Sequence, residues 1–138
     1  MSKTKKKKEY YKIKVIDAGA KGKSIAKAPD GKIIFIENAV PGDVVDLKTF
    51  KKRKNYYEAR VTKNHSLSPF RNKPMCIHFD HCGGCKWQHM DYKKQLFYKQ
   101  KEVLNNLQRI GKIDIPQPLP IIKSKKKLFY RNKMEFTF

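Results

Sequence analysis

Hydrophobic and polar residues alternate in short runs along the first half of the chain, then give way to a helical period. Tyr11, Ile13 and Val15 alternate with Lys12 and Lys14, the pattern of a strand with one buried face. Asp30-Gly31 is a hairpin turn signal directly before the run Ile33 to Ile36. Pro41-Gly42 marks a second turn, after which Val45, Leu47 and Thr49 alternate with Asp46 and Lys48. Lys54-Asn55 breaks that strand, and Tyr57, Ala59 and Val61 resume the alternation on its partner. About five short antiparallel strands predict a small, β-rich barrel of the oligonucleotide-binding (OB-like) kind.

Beyond the barrel, Ser66 to Pro74 reads as a polar, proline-bounded linker. Asp91 as N-cap and Gly111 as C′ residue bound one helix of about twenty residues. Its apolar stripe is Tyr92, Leu96, Val103, Leu107 and Ile110, widened by Phe97 and Leu104, and this is the expected packing face. Pro116, Pro118 and Pro120 make an extended connector, and Leu128 to Phe138 reads as a strand with Phe129, Met134, Phe136 and Phe138 apolar. The expected division is a disordered basic tail over 1–9, a barrel over 10–65, and over 66–138 the start of an α+β segment with the long helix. No apolar run exceeds four residues, which excludes a membrane-spanning helix, and the N-terminal lysines have no apolar segment behind them to make a secretory signal.

Charge narrows the function classes. Among 138 residues, 33 are Lys or Arg and 12 Asp or Glu, for a net charge of +21, and mean hydropathy is −0.76. Such a field fits a polyanion, and nucleic acid is the commonest one. An anionic membrane surface would call for a basic amphipathic helix with an aromatic face, which the chain does not offer. Lys51, Lys52, Arg53 and Lys54 surround a hairpin turn beside Tyr56 and Tyr57. Cations next to aromatic rings suit the phosphates and unstacked bases of single-stranded or looped RNA. The alternation puts Tyr57 in the barrel core, leaving Tyr56 as the base contact.

The chain's three cysteines lie within ten residues, Cys76, Cys82 and Cys85, in a C-x5-C-x2-C pattern with Gly83 and Gly84 between the last two. Thiolates so close together suit a soft metal or an iron–sulfur cluster. Three ligands are one short of a closed site. His78, His81 and His89 are the nearby substitutes, and Cys76, Cys82, Cys85 and His89 would make a Cys3His zinc site. No βαβ pattern supports a redox role for Cys82-Gly-Gly-Cys85. An odd cysteine count argues against a secreted disulfide framework, so a reducing, cytoplasmic compartment is expected. Trp87 is expected to pack beside the cysteines, and His65 has no partner visible in the sequence.

The order of short motifs carries a resemblance. Gly22-Lys-Ser-Ile-Ala, Ile33-Ile-Phe-Ile36 and Ala39-Val-Pro-Gly-Asp43 come first. Cys76-x5-Cys82-Gly-Gly-Cys85-Lys-Trp-Gln88 follows, then Tyr92, Gln95-Leu96, Lys99, Lys101 and Tyr130-Arg-Asn-Lys133. The chain resembles the N-terminal part of the SAM-dependent RNA (uracil-5-)-methyltransferases, and its first 64 or so residues look like a TRAM domain. The resemblance implies that Cys76, Cys82 and Cys85, with a fourth cysteine further downstream, hold a 4Fe-4S cluster. It also implies catalysis in a C-terminal Rossmann-like domain. There a cysteine nucleophile adds to carbon 6 of uracil, SAM methylates carbon 5, and a carboxylate takes the carbon 5 proton.

Nothing in these 138 residues matches that domain, so no catalytic or SAM-binding residue is assigned and the chain is expected to be a fragment. The expected function is the RNA-binding, iron–sulfur-bearing N-terminal region of a uridine-5-methyltransferase acting on ribosomal or transfer RNA. Arg131 and Asn132, in the Tyr-Arg-Asn-Lys signature, are expected to face RNA. The rival is a stand-alone RNA-binding adaptor with a structural metal site. A radical-SAM methylthiotransferase, which also carries a TRAM domain, would space its cysteines C-x3-C-x2-C, whereas the first gap here is five residues.

Overall fold

The computed structural model describes residues 7–133. The alternating segments form six strands: β1 (Glu9–Lys14), β2 (Asp17–Ala18), β3 (Ser24–Lys27), β4 (Ile33–Glu37), β5 (Val44–Lys52) and β6 (Tyr56–Ser66). They make one sheet in the order β1-β5-β6-β4-β3-β2. Because β1 runs on into β2, the two edges of the sheet are successive stretches of one segment, and the sheet curls into a partly open barrel. Along that seam Gly42 N donates to Val15 O, Val15 N to Asp43 O and Ile16 N to Ile25 O, all at 2.8–2.9 Å. The antiparallel expectation fails at one pair. β5 returns as a hairpin with β6, so β4, on the far side of β6, runs parallel to it.

Val15, Ala26, Ile34, Ile36, Val45, Leu47, Tyr57 and Ala59 close the barrel interior. Ile34 and Ile36 are fully buried, and each such side chain contributes about 1.5–3 kcal/mol relative to exposure. Tyr57 keeps its polar end satisfied by donating from its hydroxyl to Asp30 Oδ2 at 2.7 Å. Tyr10 lies against it with ring centroids 5.8 Å apart. Burial first, and Tyr57 second, push the Tyr10 phenol up to about 12. Lys8 and Glu9, placed by the sequence in a disordered tail, pair with β5 instead: Thr49 N donates to Lys8 O at 2.9 Å.

The segment after β6 is not a loose linker. Asp43, fully buried, accepts from Val40 N, from Ser68 N at 2.8 Å and from both Nε and Nη2 of Arg71. Arg71 Nη2 also reaches the Asn38 carbonyl. This fork straps residues 68–71 onto the barrel, and Gly42, at φ 102°, leaves the room that Ser68 occupies. The strap opens a second core, in which Ala18, Val40, Trp87, Met90 and Tyr98 pack with Phe70.

Helix α1 (Tyr92–Arg109) begins at Asp91, whose Oδ1 accepts from Lys93 N and Lys94 N. It docks on a different face from the one the sequence predicts. Tyr98 is its buried residue, Gln95 Nε2 donates to the Trp87 and Met90 carbonyls, and Lys101 pairs with Asp17 at 2.6 Å. At about 100° per residue, Tyr98 lies roughly 140° round the helix from the middle of the aliphatic stripe. Val103 and Ile110 accordingly stand 57% and 79% exposed. The proline-rich connector runs back along the helix, held by Gln100 Nε2 donating to Leu119 O and by Ser124 N donating to the Tyr92 hydroxyl. Residues 128–133 form no strand. They meet no sheet edge to pair with among the described residues, and Phe129 takes φ 54°. The remainder of the predicted strand, with Met134, Phe136 and Phe138, lies outside the described residues. No helix among the described residues is long and apolar enough to cross a membrane.

Candidate nucleic-acid interface and cysteine loop

The β5–β6 hairpin presents the expected cations. Lys51, Lys52, Arg53 and Lys54 are all exposed, and Arg53 N closes the turn on Tyr56 O at 2.9 Å. Tyr57 points into the barrel and Tyr56, one residue earlier, onto the outer face, where it stays half-buried. Lys52, Arg53 and Lys54 make no ion pair among the described residues, so their charge remains available to a ligand.

Lys51 differs from its neighbours. Its Nζ lies 3.0 Å from Glu58 Oε1, and Lys23 reaches the other oxygen of the same carboxylate. Glu58 is 8% exposed. Hydrogen bonds from Lys23 and then Lys51 hold its carboxyl below the usual glutamate range, against the opposing effect of burial. Two cations on one carboxylate leave this patch positive.

The cysteine loop sits against the barrel beside the hairpin face. Gly22, at φ 70°, lies where Lys86 crosses the barrel, and a Cβ there would collide with the Lys86 side chain. Between barrel and loop is a cleft of about 460 Å³ lined by Lys21, Lys23, Arg60, Lys86, Cys82 and Cys85 among others. Cys76 is exposed and Cys82 and Cys85 partly so, all as free thiols. Gln88 links two of them, accepting from Cys76 N at 3.1 Å and donating to Cys85 Sγ at 3.4 Å. Among the described residues, no three His, Cys, Asp or Glu side chains are grouped to hold a metal ion. The loop therefore keeps the three cysteines near in sequence without presenting a ready ligand set.

His89 is 3% exposed and packs on Phe79, ring centroids 5.0 Å apart, with Nε2 at 3.4 Å from the Ala39 carbonyl. Burial pushes its imidazole below the ordinary histidine value, and its Nδ1 has no partner among the described residues. Trp87 fills the second core. Arg131 reaches back to the cysteine loop, Nη1 donating to the Gly84 carbonyl at 2.6 Å, while Asn132 is exposed. His65 pairs with Asp46 at 2.7 Å across β5 and β6. That contact follows from register, since β6 residues 64 and 66 pair with Val45 and Val44. The sequence reading missed Asp43, Arg71 and Glu58. A Pro-Gly-Asp turn ahead of a strand was the one visible hint of the first.

Residues 5–62 match the TRAM domain family. An uncharacterized RNA methyltransferase of Bacteroides thetaiotaomicron is 55% identical over 119 residues, covering 86% of this chain and 26% of the relative. Its namesake in Porphyromonas gingivalis is 39% identical over 126 residues, covering 91% of this chain and 27% of the relative. A third, from Chlorobaculum tepidum, is 35% identical over 130 residues, covering 94% and 27%. The chain spans about a quarter of the length of the curated relatives it matches.

Proposed function

We propose that this chain, whose residues 5–62 match the TRAM domain family and which is similar over most of its length to RNA methyltransferases, is an RNA-binding region of such an enzyme. The observation that carries this reading is the β5–β6 hairpin, where Lys52, Arg53 and Lys54, without an ion pair among the described residues, adjoin Tyr56 on the outer sheet face. Cations at a hairpin tip neutralise phosphates and fix the strand's position, and an adjacent ring takes a base. Replacing Lys52, Arg53 and Lys54 by Ala tests it. The triple variant should bind labelled single-stranded RNA more weakly in fluorescence anisotropy, with a salt slope lower by roughly 0.7 per lost phosphate contact. Binding equal to that of the unaltered chain would move the interface away from this hairpin.

The finer reading is methylation of uridine carbon 5 in ribosomal or transfer RNA, with SAM as donor and an iron–sulfur cluster on the cysteine loop. Cys76, Cys82 and Cys85 would supply three thiolates to that cluster, or to zinc with His89 as fourth ligand. As placed, the three thiols are not grouped as a ligand set, and no part of the RNA reading runs through a metal. Anaerobic reconstitution with iron and sulfide, followed by iron and acid-labile sulfide assays, decides the point. Stoichiometric zinc in colourless protein would favour the Cys3His site, and His89→Ala should then release it.

A further inference from the structure

The sheet's outer face carries two further rings beside Tyr56 that the sequence reading did not single out. Ile34 and Ile36 point inward, so Phe35 between them points outward, half-buried, and meets Tyr56 edge to face at 5.3 Å between ring centroids. Phe50 follows the buried Thr49 and so lies on the same outer side, at the register slip between Thr49 and Lys51. Phe50 is left 42% exposed, with the Arg60 guanidinium 5.2 Å from its ring centroid.

Aromatic side chains on the outside of a sheet bury little when they face water, so three of them on one face call for a ligand with faces of its own. The surrounding charge says which ligand. Lys51, Lys52, Arg53 and Lys54 line one side of the face. The acid at its centre, Glu58, is opposed by both Lys23 and Lys51. Arg60 borders the other side, held over Phe50 while its Nε contacts Glu37 at 2.9 Å. A protein partner would meet this excess of positive charge as a desolvation cost, whereas a polyanion meets it as attraction.

We infer that Phe35, Tyr56 and Phe50 form a stacking platform for the bases of unpaired RNA, whose phosphates run along the Lys52–Lys54 hairpin and Arg60. This rests on the RNA-binding reading above and adds to it the rings that would select unpaired RNA. Duplexes keep their bases stacked on one another and offer the rings nothing, so the platform favours single strands and loops. Arg60, stacked on Phe50 and tied to Glu37, also holds that ring in place.

The test uses the 138-residue chain with three probes: a labelled single-stranded RNA, the same RNA annealed to its complement, and heparin, a polyanion without bases. Phe35→Leu and Phe50→Leu should each lower single-strand affinity about five- to a hundred-fold, the range for losing a base–aromatic stack. The salt slope, the duplex affinity and the heparin affinity should stay as in the unaltered chain. Phe35→Trp should restore single-strand binding. If Phe35→Leu fails to fold, Phe50→Leu, at an exposed bulge, carries the test alone. Single-strand affinity within about twofold of the parent in the folded leucine variants, or an equal loss on heparin, would overturn the platform. Steeply salt-dependent RNA binding that ignores these rings would remove the platform and leave the RNA reading standing. No RNA binding by the parent chain would remove both.

Discussion

Glu58 shows how much one side chain can hold in place. Its folded-state ionisation lies below the ordinary glutamate value because Lys23 and Lys51 both bond to the charged form. A carboxyl of that kind contributes stability above its unfolded value, about 4.3, and the contribution disappears as pH falls through the lowered folded value. Thermal melts from neutral to acid pH should therefore show a loss of stability below about pH 4–5 that is shallower in Glu58→Gln. The same variant frees Lys23 and Lys51, so its RNA affinity at neutral pH should rise. At Gly22 the demand is steric: Gly22→Ala should lift the cysteine loop off the barrel and speed alkylation of Cys82 and Cys85 by iodoacetamide. Tyr57 inward and Tyr56 outward could be read from alternation alone. Phe35 could not, since Ile33 to Ile36 is an uninterrupted apolar run with no visible phase. Arg131, expected to face RNA, bonds the Gly84 carbonyl, a contact between residues far apart in sequence that no local pattern encodes.

Helix α1 meets the barrel on a face that counting apolar positions did not pick. Its limits were legible because an aspartate N-cap and a terminal glycine leave local marks. Its orientation was not, because it is decided by Tyr98 with two polar anchors, Gln95 on the Trp87 and Met90 carbonyls and Lys101 on Asp17. The two faces predict opposite mutational outcomes. Tyr98→Ala empties the second core and should cost about 3–5 kcal/mol in denaturant unfolding, whereas Val103→Ala, on the exposed stripe, should stay within about 0.5 kcal/mol. Similar losses at both positions would reverse this docking. The strap formed by residues 68–71 makes a comparable demand. Asp43→Ala leaves Arg71, Ser68 N and Val40 N without their shared acceptor and should cost about 3–5 kcal/mol. The barrel itself was predicted from alternation and turn residues, but not the parallel β4–β6 pair, which depends on where β5 lies between them.

Over the whole molecule, charge is partitioned rather than merely abundant. Glu9, Asp17, Asp30, Glu37, Asp43 and Glu58 are each held against a Lys or Arg. With 12 acidic residues against 33 basic ones, these six pairs leave a large excess of cations facing outward. That arrangement costs self-repulsion in the free protein and returns it as counterion release on a polyanion. The barrel, the strap and the cysteine loop then act as one support that presents the hairpin and the outer sheet face. The measurement that tests this account most directly is the affinity of the chain for single-stranded RNA across a series of salt concentrations. The account predicts a straight, steeply negative plot of log affinity against log salt, with a slope of roughly −0.7 for each phosphate neutralised. An RNA affinity that stays level from low to moderately high salt would contradict it.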